Sequence, residues 1–136
     1  MKKILLDTNV IIDVFAKREP FFCDSYSVMR LCAEDKAEGY ITASSLTDLY
    51  YLIHHETKDP AKSKAAIVSL LDFCTIIDVT SEDCMSAIAS ETHDFEDALI
   101  DACAAKEKIS CIVTRNTRDF SVSQVKALTP QQFLAE

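Results

Sequence analysis

The sequence of 136 residues has one glycine, Gly39, and three prolines. Sandwiches and barrels need a turn residue at nearly every hairpin. The scarcity therefore argues against them and favours helices joined by short loops. No apolar run reaches the roughly 20 residues of a membrane-spanning helix. Lys2 and Lys3 precede a short apolar run, as in a secretion signal, but that run meets Asp7 after three residues and no small-residue cleavage site follows. The expectation is a cytoplasmic protein with no membrane contact. Six cysteines are present, yet no pair has the C-x-x-C spacing of a zinc or redox site. Several lie in apolar helical contexts, so all six read as core thiols of a reducing compartment. Basic residues are also few: 14 Lys and Arg against 22 Asp and Glu, a net charge of −8. That balance counts against a nucleic-acid partner. It does not exclude one, because bound divalent cations can supply positive charge where a phosphate must sit.

Hydrophobic residues make up 49% of the chain, and its length suits one domain, residues 1–136, with a real core. Residues 2–6 read as a buried strand ending at Asp7. A helix over 9–17 follows, with Asn9 a candidate cap. The next helix, 22–37, carries Tyr26, Met29 and Ala33 along one stripe, and Gly39 ends it. Residues 40–43 form a strand. The helix over 44–56 places Leu46, Leu49, Tyr50 and Ile53 at i, i+3, i+4 and i+7, the spacing of a buried face. Pro60 opens a helix with Ala61, Ala65, Val68 and Leu71 as its apolar stripe. Then come a strand at 75–79, helices at 81–90 and 95–108, a strand at 111–114, an edge strand at 125–128 and a helical turn from Pro130. Strand and helix alternate, and the strands are short and apolar. The pattern predicts a three-layer α/β/α domain with a mostly parallel central sheet and helices on both faces. In such sheets ligands collect beyond the carboxyl ends of the strands. Asp7 and Thr114 lie at two such ends, and Ser44–Asp48 follows a third.

Taken singly, each acid near those ends has a local explanation. Asp7 suits a helix cap, Asp48 an exposed helix carboxylate, and Asn116 and Asp119 turn residues bonding their own backbone. Asp94 and Glu96 fit the positive end of a helix dipole. Asp97 and Asp101 stand at i and i+4, where like charges repel. Jointly, Asp7, Asp48, Asp97 and Asn116 can face one crevice, and carboxylates held together need a cation. Oxygen-only ligation suits Mg²⁺ or Mn²⁺. His54 and His55 are adjacent and His93 is isolated. All three read as surface or helix-end residues, against zinc. Lys106 and Lys108 suit a helix C-terminus. Arg115 and Arg118 flank Asn116, either as partners for acids or as phosphate contacts. A haloacid-dehalogenase-like phosphatase wants an Asp at position 9, where this chain has Asn. A response-regulator receiver wants paired early acids and a late Lys that cannot be placed.

DTNV after the first strand, an acid in the helix after the second, DFEDAL opening a later helix and TRNTRDF after the next strand together resemble the PIN domain family. The similarity covers essentially the whole chain and is strongest to its small bacterial VapC-like members. The resemblance implies a Mg²⁺- or Mn²⁺-dependent endoribonuclease, acting as the toxin of a toxin–antitoxin pair and leaving 5′-phosphate and 3′-hydroxyl ends. Asp7 and Asp97 match the family's first and third acids. Asp48 falls where most members have Glu, and Asn116 where many have a fourth Asp. These four are the implied catalytic positions, with Asp7, Asp97 and Asp48 on the metal. Asn9, Thr114 and Asp119 are implied supports, and Asp101 an outer acid. Arg115 and Arg118 are the candidates for RNA contact. A homodimer covered by a small antitoxin is implied as well, with Phe21, Phe22, Tyr50 and Tyr51 as candidate contacts. The rival class is a PIN-like module that binds RNA or protein without cutting.

Overall fold

Alternation of short apolar strands with helices produces a fully parallel sheet in the computed structural model, which describes residues 1–92 and 94–136. The strands are β1 (Lys3–Leu6), β2 (Glu38–Thr42), β3 (Cys74–Ile77), β4 (Cys111–Val113) and β5 (Ala127–Leu128). The helices are α1 (Thr8–Phe15), α2 (Phe22–Ala33), α3 (Ala43–Thr57), α4 (Pro60–Leu71), α5 (Ser81–Ala89), α6 (Phe95–Lys106) and α7 (Pro130–Leu134), and a 3-10 turn spans Thr117–Phe120. The sheet order is β3-β2-β1-β4-β5, with every neighbouring pair parallel. Ile4 and Leu6 of β1 belong to a core with α1 to α4 and α7, while Leu5 joins α6 and Ile112 on the opposite face. Both faces of the sheet are therefore covered, as its apolar strands require.

The chain runs outward from β1 through β2 to β3, then returns to the other side of β1 for β4 and β5. Strand order thus reverses between β1 and β4, the point where open α/β sheets leave a crevice. Asp7 and Thr114 lie at this point.

Several local expectations are corrected. Asp7 rather than Asn9 caps α1, accepting from the Thr8 N–H at 2.8 Å. The buried stripe of α2 is Ser25, Val28, Met29 and Cys32, with Tyr26 and Ala33 exposed. In α4 it is Ser63 and Leu70 with half-buried Ala66 and Ile67, and Val68 faces solvent. Hydrophobicity alone missed these stripes because serine can be buried when bonded. Ser63 Oγ donates to the Asp59 carbonyl at 2.9 Å and pairs with Thr57 at 2.8 Å. Gly39 does not end α2 but lies inside β2. A Cβ there would meet Cys32 Sγ at 2.9 Å and Cys74 Sγ at 3.1 Å. Room for two thiols, not backbone freedom, requires the glycine. All six cysteines are free, but Cys23 is exposed and Cys84 half-buried, so not all are core thiols. His54 and His55 lie in the last turn of α3 as expected. The expectation for His93 falls outside the described residues. Lys106 does more than answer a helix dipole: its Nζ meets Asp83 Oδ2 at 2.6 Å and the Asp78 carbonyl at 2.8 Å.

Candidate active site

Asp7 follows β1 directly, and its own N–H bonds to the Val113 carbonyl of β4 at 3.0 Å. Its carboxylate is almost wholly buried, with no cationic partner among the described residues. Oδ1 takes the Thr8 N–H; Oδ2 accepts the Thr114 hydroxyl at 2.8 Å and the Asn9 amide at 3.4 Å. Asn9 Nδ2 also lies 3.3 Å from Thr114 Oγ1, which accepts the Asn116 N–H at 3.1 Å. Asn9 and Thr114 therefore fix the rotamer of Asp7 from two elements. Burial pushes the Asp7 carboxyl above its usual range, Asp119 adds to this, and the bonds from Thr114 and Thr8 oppose it.

Asp97 comes to the same crevice from the first turn of α6, where the Asp94 side chain caps the helix through the Asp97 N–H at 3.0 Å. Its carboxyl is pushed up to about 7 by burial, then by Asp94, Asp7, Asp119 and Glu96. The acids named there reach the crevice from the end of β1, from α6 and from the turn after β4. Asp97, Asp94, Arg118, Asp119, Ser121 and Val122 line a cavity of about 260 Å³.

Glu96 stands in the first turn of α6, where its charge suits the helix dipole, and it also meets an acid of another helix. Its carboxyl is raised by burial, by hydrogen-bond contact with Asp48 of α3, and by the charges of Asp48, Asp94 and Asp7. Asp48 is exposed and joins the acids through Glu96. No local signal marks Glu96, since its partner stands on another helix.

Of the remaining candidates, Asn116 is exposed, precedes the 3-10 turn and makes no capping bond. Asp119, in that turn, is exposed and contributes charge to both Asp7 and Asp97. Asp101 points elsewhere. Its oxygens accept the Gln124 N–H at 2.9 Å and the Val125 N–H at 3.0 Å, pinning the segment before β5. Of the two arginines, Arg118 lines the cavity while Arg115 is committed to an ion pair with Asp13.

Among the described residues no three Asp, Glu, His or Cys side chains already converge at ligand distance. The donor chemistry nonetheless suits a hard cation. The donors are oxygen atoms only, they raise one another's proton affinity, and no Lys or Arg neutralises Asp7.

A family profile described as PIN domain matches residues 3–118. Ribonuclease VapC1 of Aquifex aeolicus is 24% identical over 135 residues, covering 97% of this chain and 93% of that one. Among solved structures, VapBC2 from Rickettsia felis, bound to a DNA fragment from its promoter, superposes with a TM-score of 0.71 at 19% identity, covering 93% of this chain and 98% of that one. VapC20 of Mycobacterium tuberculosis, a toxin that cleaves the sarcin–ricin loop, gives 0.69 at 15% identity, covering 88% and 94%. At these identities the structural likenesses establish a shared fold.

Proposed function

The chain belongs to the PIN domain family, and on that premise we propose that it is a divalent-metal-dependent endoribonuclease, the toxin of a toxin–antitoxin pair. The observation that carries the reading is the mutual perturbation of acids from three parts of the chain, with Asp97 held near neutrality by Asp94, Asp7, Asp119 and Glu96. Such crowding has no structural benefit without a cation.

Asp7 and Asp97 would hold the ion, Mg²⁺ or Mn²⁺, with Asp48 reaching it beside Glu96. Such an ion, when bound, acts as a Lewis acid that makes water easier to deprotonate and offsets phosphodiester charge. Asn9 and Thr114 keep the Asp7 carboxylate turned toward the crevice. Asp119 supplies the acid that Asn116 lacks. Arg118, on the cavity wall, takes a phosphate oxygen and holds the RNA strand in register. Asp101 acts through the loop it pins.

A toxin–antitoxin complex from Klebsiella pneumoniae shares the fold, with a TM-score of 0.68 at 22% identity, and a similar partner is part of this proposal. An open apolar groove between α3 and α4, lined by Leu46, Tyr50, Tyr51, Ile67 and Val68, offers it a surface. A homodimer is proposed on family membership alone.

The test uses purified protein with structured RNA and Mn²⁺, with EDTA and Asp7→Asn as controls. Metal-dependent cutting that disappears in both controls is the expected result. Binding without cutting across several RNAs would instead make the chain an inert RNA-binding module, the reading that Asp48 and Asn116 leave open.

A further inference from the structure

Asp13 lies in the last turn of α1 and is completely buried. A carboxylate in that setting is costly unless paired. Arg115, just after β4, supplies the partner: Nε lies 2.7 Å from Oδ2 and an Nη 3.1 Å from Oδ1. Ser25 Oγ adds a third, longer bond at 3.4 Å. The guanidinium carbon sits 4.1 Å from the centre of the Phe21 ring, a cation–π contact. Among the described residues this is the ion pair with a fully buried acid.

A buried ion pair is seldom the most stable way to fill a core, because apolar side chains of similar volume serve as well or better. What it provides is fixed geometry, since a two-bond fork tolerates little rotation. Here the fork joins α1 to the end of β4, and both elements carry parts of the acidic crevice. Asp13 is one helical turn beyond Asn9. Arg115 donates its own N–H to Asn9 Oδ1 at 3.2 Å. Asn9 Nδ2 in turn lies against Asp7 Oδ2 and Thr114 Oγ1.

We propose that the Asp13–Arg115–Phe21 cluster is a positioning clamp, which sets Asn9 and Thr114 and thereby the orientation of the Asp7 carboxylate. The inference rests on the metal-nuclease reading for its consequence. It also gives the two arginines different tasks: Arg115 holds the wall of the site, and Arg118 is left to meet the substrate.

The experiment compares wild type with Asp13→Asn, Arg115→Lys and the double variant Asp13→Leu/Arg115→Met. Each is measured for unfolding midpoint, Mn²⁺ affinity by calorimetry, and RNA cutting as kcat and KM. Either single change should lower the midpoint: Asp13→Asn leaves the Arg115 guanidinium without its carboxylate, and Arg115→Lys keeps the charge but loses the two-bond fork. The double variant should regain stability, yet bind Mn²⁺ and turn over about 10–100-fold more weakly, the usual effect of losing a group that orients a ligand, with KM for RNA unchanged. A double variant as stable as wild type that also binds Mn²⁺ and cuts like wild type overturns the clamp. If the double variant fails to fold, Arg115→Lys decides, since Lys keeps the charge but not the fork. A folded Arg115→Lys protein with wild-type kcat and Mn²⁺ affinity also overturns it. A wild type that binds Mn²⁺ without cutting sinks the nuclease reading alone, and the clamp is then judged on affinity. A wild type that binds no Mn²⁺ sinks both.

Discussion

Replacing Asp97 by Asn should stabilise the metal-free protein, and only above about pH 4, where the unfolded chain's Asp97 ionises. The carboxyl is pushed from 3.8 to about 7. An acid whose folded-state value is raised keeps its proton in the folded chain while the unfolded chain releases it. Stability therefore declines as pH rises from about 4 to about 7, and is level above that window. At roughly 1.36 kcal/mol per decade the whole displacement corresponds to ~4 kcal/mol. The Asp97 side chain is partly open to solvent, and screening reduces this to about 1–2 kcal/mol. Asparagine has the shape of the neutral acid and no charge to lose. At pH 8 without metal, Asp97→Asn should thus unfold ~3–6 °C higher than wild type. At pH 5, a little more than one decade above the unfolded acid's 3.8, only about a third of that difference should be present, and it vanishes below about pH 4.

Saturating Mg²⁺ should reverse the order at pH 8, because wild type gains binding free energy that the variant has largely lost. Thermal unfolding followed by circular dichroism, at both pH values with Mg²⁺ or EDTA, gives the four midpoints of each protein. An equal stabilisation at pH 5 and pH 8 would show that charge is not the cause. A wild-type midpoint indifferent to Mg²⁺ would remove the cation from the crevice.

Three further outcomes follow from single contacts. Gly39→Ala forces a methyl against the thiols of Cys32 and Cys74, so urea titration should show a loss of about 1–3 kcal/mol, partly restored by adding Cys32→Ala; no loss would mean that the thiols move aside freely. Asp101→Ala leaves the Gln124 and Val125 N–H groups without their acceptor, at a cost of about 1–3 kcal/mol. Amide exchange at those two residues should quicken, and unchanged protection would deny the carboxylate its pinning role. Glu96→Gln should weaken Mn²⁺ binding about tenfold in calorimetry, whereas unchanged affinity would return Glu96 to the helix-dipole role its position suggests.

Strand ends were legible because the signal is local: three or four apolar residues, then a polar one, then helical spacing. That was enough to place Asp7 and Thr114 at strand ends; that the two ends flank the switch point follows only from the strand order. Helix faces were less legible where the buried residue is a bonded serine, as in α2 and α4. Gly39 was misplaced because its reason is two thiols from α2 and β3, which no nearby residue announces. Arg115 illustrates the same limit. Its two sequence-level readings, acid partner or phosphate contact, differ only in whether a carboxylate from α1 stands within reach, and Asp13 does.

The same reasoning bears on Asp48 and Asn116. By position one acid is a methylene short and the other is neutral, which suggests a weakened cation site. In three dimensions the deficit falls where other acids stand: Glu96 against Asp48, and Asp119 near enough to act on both Asp7 and Asp97. Charge density in the crevice therefore does not follow from the motif positions alone. A charge can be moved one turn along a helix, or three residues along a loop, and still press on the same oxygen atoms. What cannot be moved so easily is the seat of Asp7, held by Thr8, Asn9 and Thr114 at the one place where the sheet reverses. Restoring the family pattern by Asp48→Glu should accordingly change activity far less than any change that turns Asp7, and single-turnover cutting rates for Asp48→Glu and Thr114→Val test that ordering.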